Sequence, residues 1–115
     1  MMNYIHKELA SGKWQTFSFM FQMGNIASDV SRVIMLHGIN KERSMGALQR
    51  ALELLDLTIE DPKNINRLKE LRQLRKALAD YFCVDNVDQS TDQHWTNYFY
   101  PFAYAAAIDR ENANT

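Results

Sequence analysis

The stretch Trp14–His37, WQTFSFMFQMGNIASDVSRVIMLH, decides the fold class. It has no proline, and at about 100° per residue its apolar side chains cover roughly two-thirds of a helix circumference. Phe17, Phe19, Met20, Phe21, Met23, Ile26, Ala27, Val30, Val33, Ile34 and Met35 form that surface. Ser18, Gln22, Asn25, Asp29 and Arg32 fall together in the remaining sector, about 80° wide by the same geometry. A surface helix needs an apolar stripe only somewhat over 100° wide. The excess predicts a second surface for this helix to pack on.

Outward from this segment, three more helices separate. The first spans about Gly12 to His37, with Gly38 as a left-handed stop. The second spans about Lys41 to Glu60, with Met45, Leu48, Leu52, Leu55 and Ile59 on one face, and ends at Asp61-Pro62. Asp61 then caps a third helix with Pro62 at its first position and Leu68, Leu71, Leu74, Leu78 and Phe82 as core stripe. After an acidic loop, Val84–Gln89, Ser90 and Gln93 read as a capping box for a fourth helix through Trp95, Phe99, Phe102 and Ala106. Pro101 lies inside it and predicts a kink or a division. Short connections favour antiparallel neighbours, so the expected architecture is an all-α, up-down-up-down four-helix bundle. It forms one domain over residues 1–115, with about 1–11 and 110–115 flexible.

The bulk composition narrows the function. A hydrophobic fraction of 46% and a charged fraction of 23% are those of an ordinary globular chain. A net charge of −1 gives no global attraction to nucleic acid or anionic lipid. The single cysteine, Cys83, forms no intramolecular disulfide and, beside Tyr81-Phe82, reads as structural. The start lacks a signal-peptide core, and Trp14–Ser28 is too short and polar to span a bilayer. A cytoplasmic protein that does not enter membranes is expected.

Several constellations are candidates for chemistry. Gln22, Asn25, Asp29 and Arg32 line up at intervals of three and four, either as a ligand pocket or as a structural polar network. Lys63, Arg67, Lys69, Arg72, Arg75 and Lys76 stand against only Glu70, and Lys69, Arg72 and Lys76 share a face that suits phosphate contact. Without interleaved aromatics, nucleic-acid binding gains no further support. Arg32 and His37 match Arg-x4-His, the spacing of the ribonuclease motif of HEPN domains, with His as acid/base and Arg on the phosphate. With seven arginines and three histidines so loose a gap arises readily by chance, and Val33 stands where that motif has a polar residue. No Glu-x-x-His pair or EF-hand loop is present, so neither a metal nor another cofactor is expected. Asp85, Asp88 and Asp92 read as loop solvation and helix-terminal charge.

Leu54 and Leu57 fall off the main stripe of the second helix, on its expected solvent side. Together with the wide first helix and with Tyr98, Tyr100 and Tyr104, they predict an interface, most simply in a two-fold homodimer.

The runs Ala10–Trp14 (ASGKW), Gln22–Val30 (QMGNIASDV), Arg50–Asp61 (RALELLDLTIED), Arg67–Phe82 (RLKELRQLRKALADYF) and Tyr98–Ala106 (YFYPFAYAA) give the chain a wider resemblance. It resembles a family of short bacterial and archaeal all-helical proteins with no assigned function. The resemblance implies a stand-alone domain and no activity. That family differs over Val33–Asn40 and lacks a histidine at the place of His37, which weighs against the ribonuclease reading. The sequence thus points first to a non-enzymatic, self-associating binding module, with an unidentified protein as a further partner. A HEPN-like ribonuclease or toxin–antitoxin component, and a phosphate- or RNA-binding protein, are the alternatives.

Overall fold

The computed structural model describes residues 6–83 and 91–113. The described chain is all-helical and contains no strand. In order it has α1 (Lys7–Ala10), a 3-10 turn (Lys13–Thr16), α2 (Phe19–Leu36), α3 (Lys41–Glu60), a second 3-10 segment (Pro62–Arg67), α4 (Leu68–Cys83) and α5 (Asp92–Ala113). Helix α2 packs on α3 along one side and on α5 along another, and α3 packs in turn on α4. None of these helices is long and apolar enough to cross a membrane.

The first long helix starts later than its composition suggests. Gly12 takes a φ of 123°, a conformation that favours glycine. A 3-10 turn then carries Trp14 into the core, where it is 2% exposed. Phe17 is extended, and Ser18 caps α2 by accepting a hydrogen bond from Phe21 N at 3.1 Å. Side-chain bonds such as Thr16 Oγ1 to Lys13 O, at 2.6 Å, offer this backbone an alternative to the α-helix. The expected left-handed stop at Gly38 is also absent, since Gly12 is the glycine with positive φ. Instead Asn40 N bonds back to Leu36 O at 2.8 Å, and Asn40 Oδ1 accepts from Arg43 N to open α3.

Helix α3 keeps its expected bounds, and Asp61 accepts from Lys63 N as its cap role requires. The chain beyond this cap is 3-10 rather than α-helix up to Arg67, with Asn64 out of helical geometry because its amide is drawn into the core. Helix α5 begins with Thr91 Oγ1 accepting from His94 N, and Ser90 of the expected capping box lies outside the described residues. Helix α5 is continuous through Pro101, whose ring is exposed, so the proline does not divide it. The acidic stretch 84–89, with Asp85 and Asp88, also lies outside the described residues, as does the Cys83 side chain.

Most of the apolar width of α2 is taken up within the chain, while Met20 and Met35 stay exposed at 40% and 64%. Met23, Ile26, Ala27, Val30 and Val33 are all buried between α3 and α5. At Gly24 the two helices α2 and α5 come so close that a Cβ would lie 2.5 Å from that of Ala106. Leu54 and Leu57 correct the expectation for α3: they are 3% and 6% exposed and belong to the main core with Trp14. The N-terminal arm folds back along that flank, with His6 N donating to Glu53 Oε1 at 2.6 Å and Trp14 Nε1 to Thr58 Oγ1 at 2.9 Å. Core burial therefore extends round α3 beyond its heptad-like stripe.

Candidate functional site

The polar stripe of α2 divides into two environments. At its N-terminal end Gln22 is fully buried and spends its whole amide inside the chain. Its Nε2 donates to Trp14 O (3.0 Å) and Asp61 Oδ2 (2.8 Å), while its Oε1 accepts from Asn64 Nδ2 at 3.1 Å. Asn64 also donates to Thr58 O, and the Thr58 hydroxyl accepts from Trp14 and donates to Leu54 O. This clasp joins the N-terminal turn, α2, α3 and the approach to α4. Each buried polar group of the clasp has a partner, which avoids the roughly 1–3 kcal/mol cost of an orphaned donor or acceptor. Burial raises the Asp61 carboxyl, but hydrogen bonds from Lys63 and Gln22 outweigh it and hold the group below the ordinary carboxylate value. Ion pairing with Lys63 Nζ covers its outer side.

At the other end, Asn25, Asp29 and Arg32 border a pocket of about 230 Å³ with His6, Ser28 and Arg50. Its floor is apolar, formed by Leu9, Trp14 and Leu54. Asp29 is 5% exposed, and burial pushes its carboxyl above the ordinary value against the opposing pull of Arg32, Arg50 and His6. Arg32 reaches it directly, Nη1 to Oδ1 at 2.7 Å. His6 is held by Glu53, with Nδ1 3.1 Å from Oε1. Asn25 donates to Phe21 O at 2.9 Å. The two halves of the stripe therefore differ in kind: the first is closed and satisfied, the second is open to solvent.

The remaining candidates are dispersed. His37 is exposed, its ring 6.1 Å from that of Phe82, and it does not line the Arg32 pocket. Lys69, Arg72 and Lys76 are exposed on α4, where Arg72 and Lys76 border an open depression of about 420 Å³ with Arg75, Ala79 and Asp80. Arg75 is committed to Asp56 through two bonds, Nε–Oδ1 at 2.5 Å and Nη2–Oδ2 at 3.1 Å. Among the described residues no group of three or more His, Cys, Asp or Glu is placed to hold a metal ion.

The aromatic run of α5 also splits. Trp95 and Phe99 are buried, and Tyr98 is half-buried with its hydroxyl 3.3 Å from Glu70 Oε1. Burial first and the Glu70 charge second push the Tyr98 phenol up to about 12. Tyr100 and Tyr104 point to solvent, 64% and 59% exposed, and stack with centroids 6.2 Å apart and planes at 20°. Arg50, His6 and Ser28 are site residues that periodicity did not single out. They join the stripe only because the arm and α3 meet beside α2, a juxtaposition with no local sequence signal. Comparison with family models, curated proteins and solved structures returns no match to this chain.

Proposed function

We propose that the chain is a non-enzymatic, cytoplasmic binding module that self-associates as a two-fold homodimer through the outer face of α5. In this reading α2 to α5 alternate up and down as a four-helix bundle. The observation that carries it is the solvent-facing Tyr100–Tyr104 stack, continued one turn on by Ile108 at 37% exposure. Tyrosines combine large contact area with a polar tip and are favoured in interface centres. A two-fold axis near this stack would set each pair against its copy. Leu54 and Leu57, spent in the core, drop out of this interface, and Tyr98 contributes only its half-exposed edge.

Sedimentation velocity tests the reading. The wild-type chain is expected to sediment as a dimer at micromolar concentration, and Tyr100→Asp with Tyr104→Asp as a monomer of unchanged helix content. A wild-type monomer, or a dimer indifferent to both substitutions, refutes it.

A second reading, phosphate or RNA contact through Lys69, Arg72 and Lys76, draws support from the exposure of all three beside the α4 depression. It requires affinity that falls steeply with salt, so salt-insensitive or absent binding rules it out. The ribonuclease alternative has less support: the Arg32 guanidinium is turned onto Asp29, and His37 rests against Phe82. It requires a partner subunit to bring the two together.

A further inference from the structure

The lining of the pocket beside α2 carries two guanidinium groups, Arg32 and Arg50, and one carboxylate, Asp29. Asp29 is matched by Arg32 at 2.7 Å, and the His6 ring is hydrogen-bonded to Glu53 at 3.1 Å. Arg50, also on the lining, remains. It is half-buried, acts on Asp29 through space, and makes no ion pair among the described residues. A guanidinium carries five N–H donors in a planar fork that fits a carboxylate or phosphate edge. Partial burial strengthens such a contact, because water screens the charge less there than on an open surface. Ser28, exposed on the same lining, adds a hydroxyl donor.

Size and lining narrow the ligand further. A volume of about 230 Å³ is below the roughly 300–1,000 Å³ of sites that enclose drug-sized molecules. A compact molecule is therefore favoured over a peptide or a nucleic-acid strand. Half-buried Leu9, with the edges of Trp14 and Leu54 that their 2% and 3% exposure leaves, forms a narrow apolar floor opposite the charged rim. An ionised group alone would leave that floor unused, whereas an anion with a short apolar body would cover both.

We propose that this pocket binds the oxyanion of a compact amphiphilic ligand, a phosphate or carboxylate gripped by Arg50 and Ser28, with its apolar body against Leu9 at the edge of the Trp14 and Leu54 core. Asp29 acts as a positioning residue: it holds Arg32 at the rim, and its negative charge disfavours an anion that sits too deep. The site is separate from the α5 face and does not depend on self-association.

The test is a titration of the 15N-labelled full chain with phenyl phosphate and, separately, benzoate, followed by NMR. Two tryptophan indole signals act as internal probes, since Trp14 lines this pocket and Trp95 does not. The expected result is saturable movement of Ser28, the Arg50 side chain and the Trp14 indole, with the Trp95 indole unmoved. Arg50→Gln should weaken binding by about tenfold or more, the scale of one charge-assisted hydrogen-bond pair, and Arg50→Lys should retain part of it. Lys41→Gln, exposed at the start of α3, should bind as wild type. Whichever probe binds more tightly assigns the head group as phosphate or carboxylate. Inorganic phosphate binding as tightly as phenyl phosphate would remove the apolar floor from the account. No saturable binding of either aromatic probe, movement confined to Arg72 and Lys76, or an Arg50→Gln variant that binds as wild type overturns the proposal.

Discussion

Gln22 and Arg32 belong to one polar stripe of α2, yet the chain treats them in opposite ways. Gln22 is sealed in the core with three hydrogen bonds to three other segments. Arg32 keeps half its side chain in water, at 51% exposure, and holds Asp29 at the rim of an open pocket. The difference comes from what lies across from each residue. Opposite Gln22 are neutral amides, a backbone carbonyl and one carboxylate already paired with Lys63, so burial costs little once every bond is made. Opposite Asp29 and Arg32 stand Arg50 and His6. Asp29 is itself buried, but the guanidinium groups of Arg32 and Arg50 keep contact with water because burying them fully would be expensive. One stripe thus serves as structure at one end and as a candidate site at the other.

The largest expected effect falls on the closed end. Trp14 fills the core and donates to Thr58, so Trp14→Leu should lower unfolding free energy by about 3–5 kcal/mol, through the cavity and the lost hydrogen bond together. Urea denaturation measures it, and a loss under about 1 kcal/mol would break the distinction between the two ends.

Acid titration sharpens the same comparison, because the two buried carboxyls respond with opposite sign. Asp61 is held below its ordinary value, so its contribution is present above the unfolded value of 3.8 and is lost as pH falls through the lower folded value. Asp29 is raised, so its ionised form is penalised in the fold, and that penalty is relieved as pH falls through its folded value towards 3.8. Asp61→Asn should flatten the acid-side loss of stability, and Asp29→Asn should steepen the net loss by removing the opposing trend. Stability curves between neutral pH and the acid transition read both. Parallel curves for the two variants would contradict the assignment.

Much of this was legible in the chain itself. The C-terminal bound of α3 comes from Asp61-Pro62, a local signal. The α4 stripe of Leu71, Leu74 and Leu78 is buried as its spacing requires. The failures share one cause, contacts between segments distant in sequence. Leu54 and Leu57 look solvent-facing until the arm from His6 to Trp14 returns over α3, closing contacts 44 and 47 residues long. The role of Gln22 depends on Asp61 and Asn64, 39 and 42 residues away. Arg50 enters the pocket for the same reason. Helical periodicity reports which face is apolar and is silent on which polar residues will meet.

The central claim is that the stripe is divided, and a matched pair of variants tests it most directly. Gln22→Leu removes a buried amide from the clasp, and Arg50→Gln removes a charge from the open rim. Measured side by side by urea unfolding, Gln22→Leu should cost about 2–4 kcal/mol, because it removes three buried hydrogen bonds of the clasp at once, even though Asn64 keeps Thr58 O and Asp61 keeps Lys63. Arg50→Gln should stay within about 0.5 kcal/mol of wild type, as expected where no packed or paired group is lost. Equal losses from the two substitutions would contradict the account and make the whole stripe a single structural network.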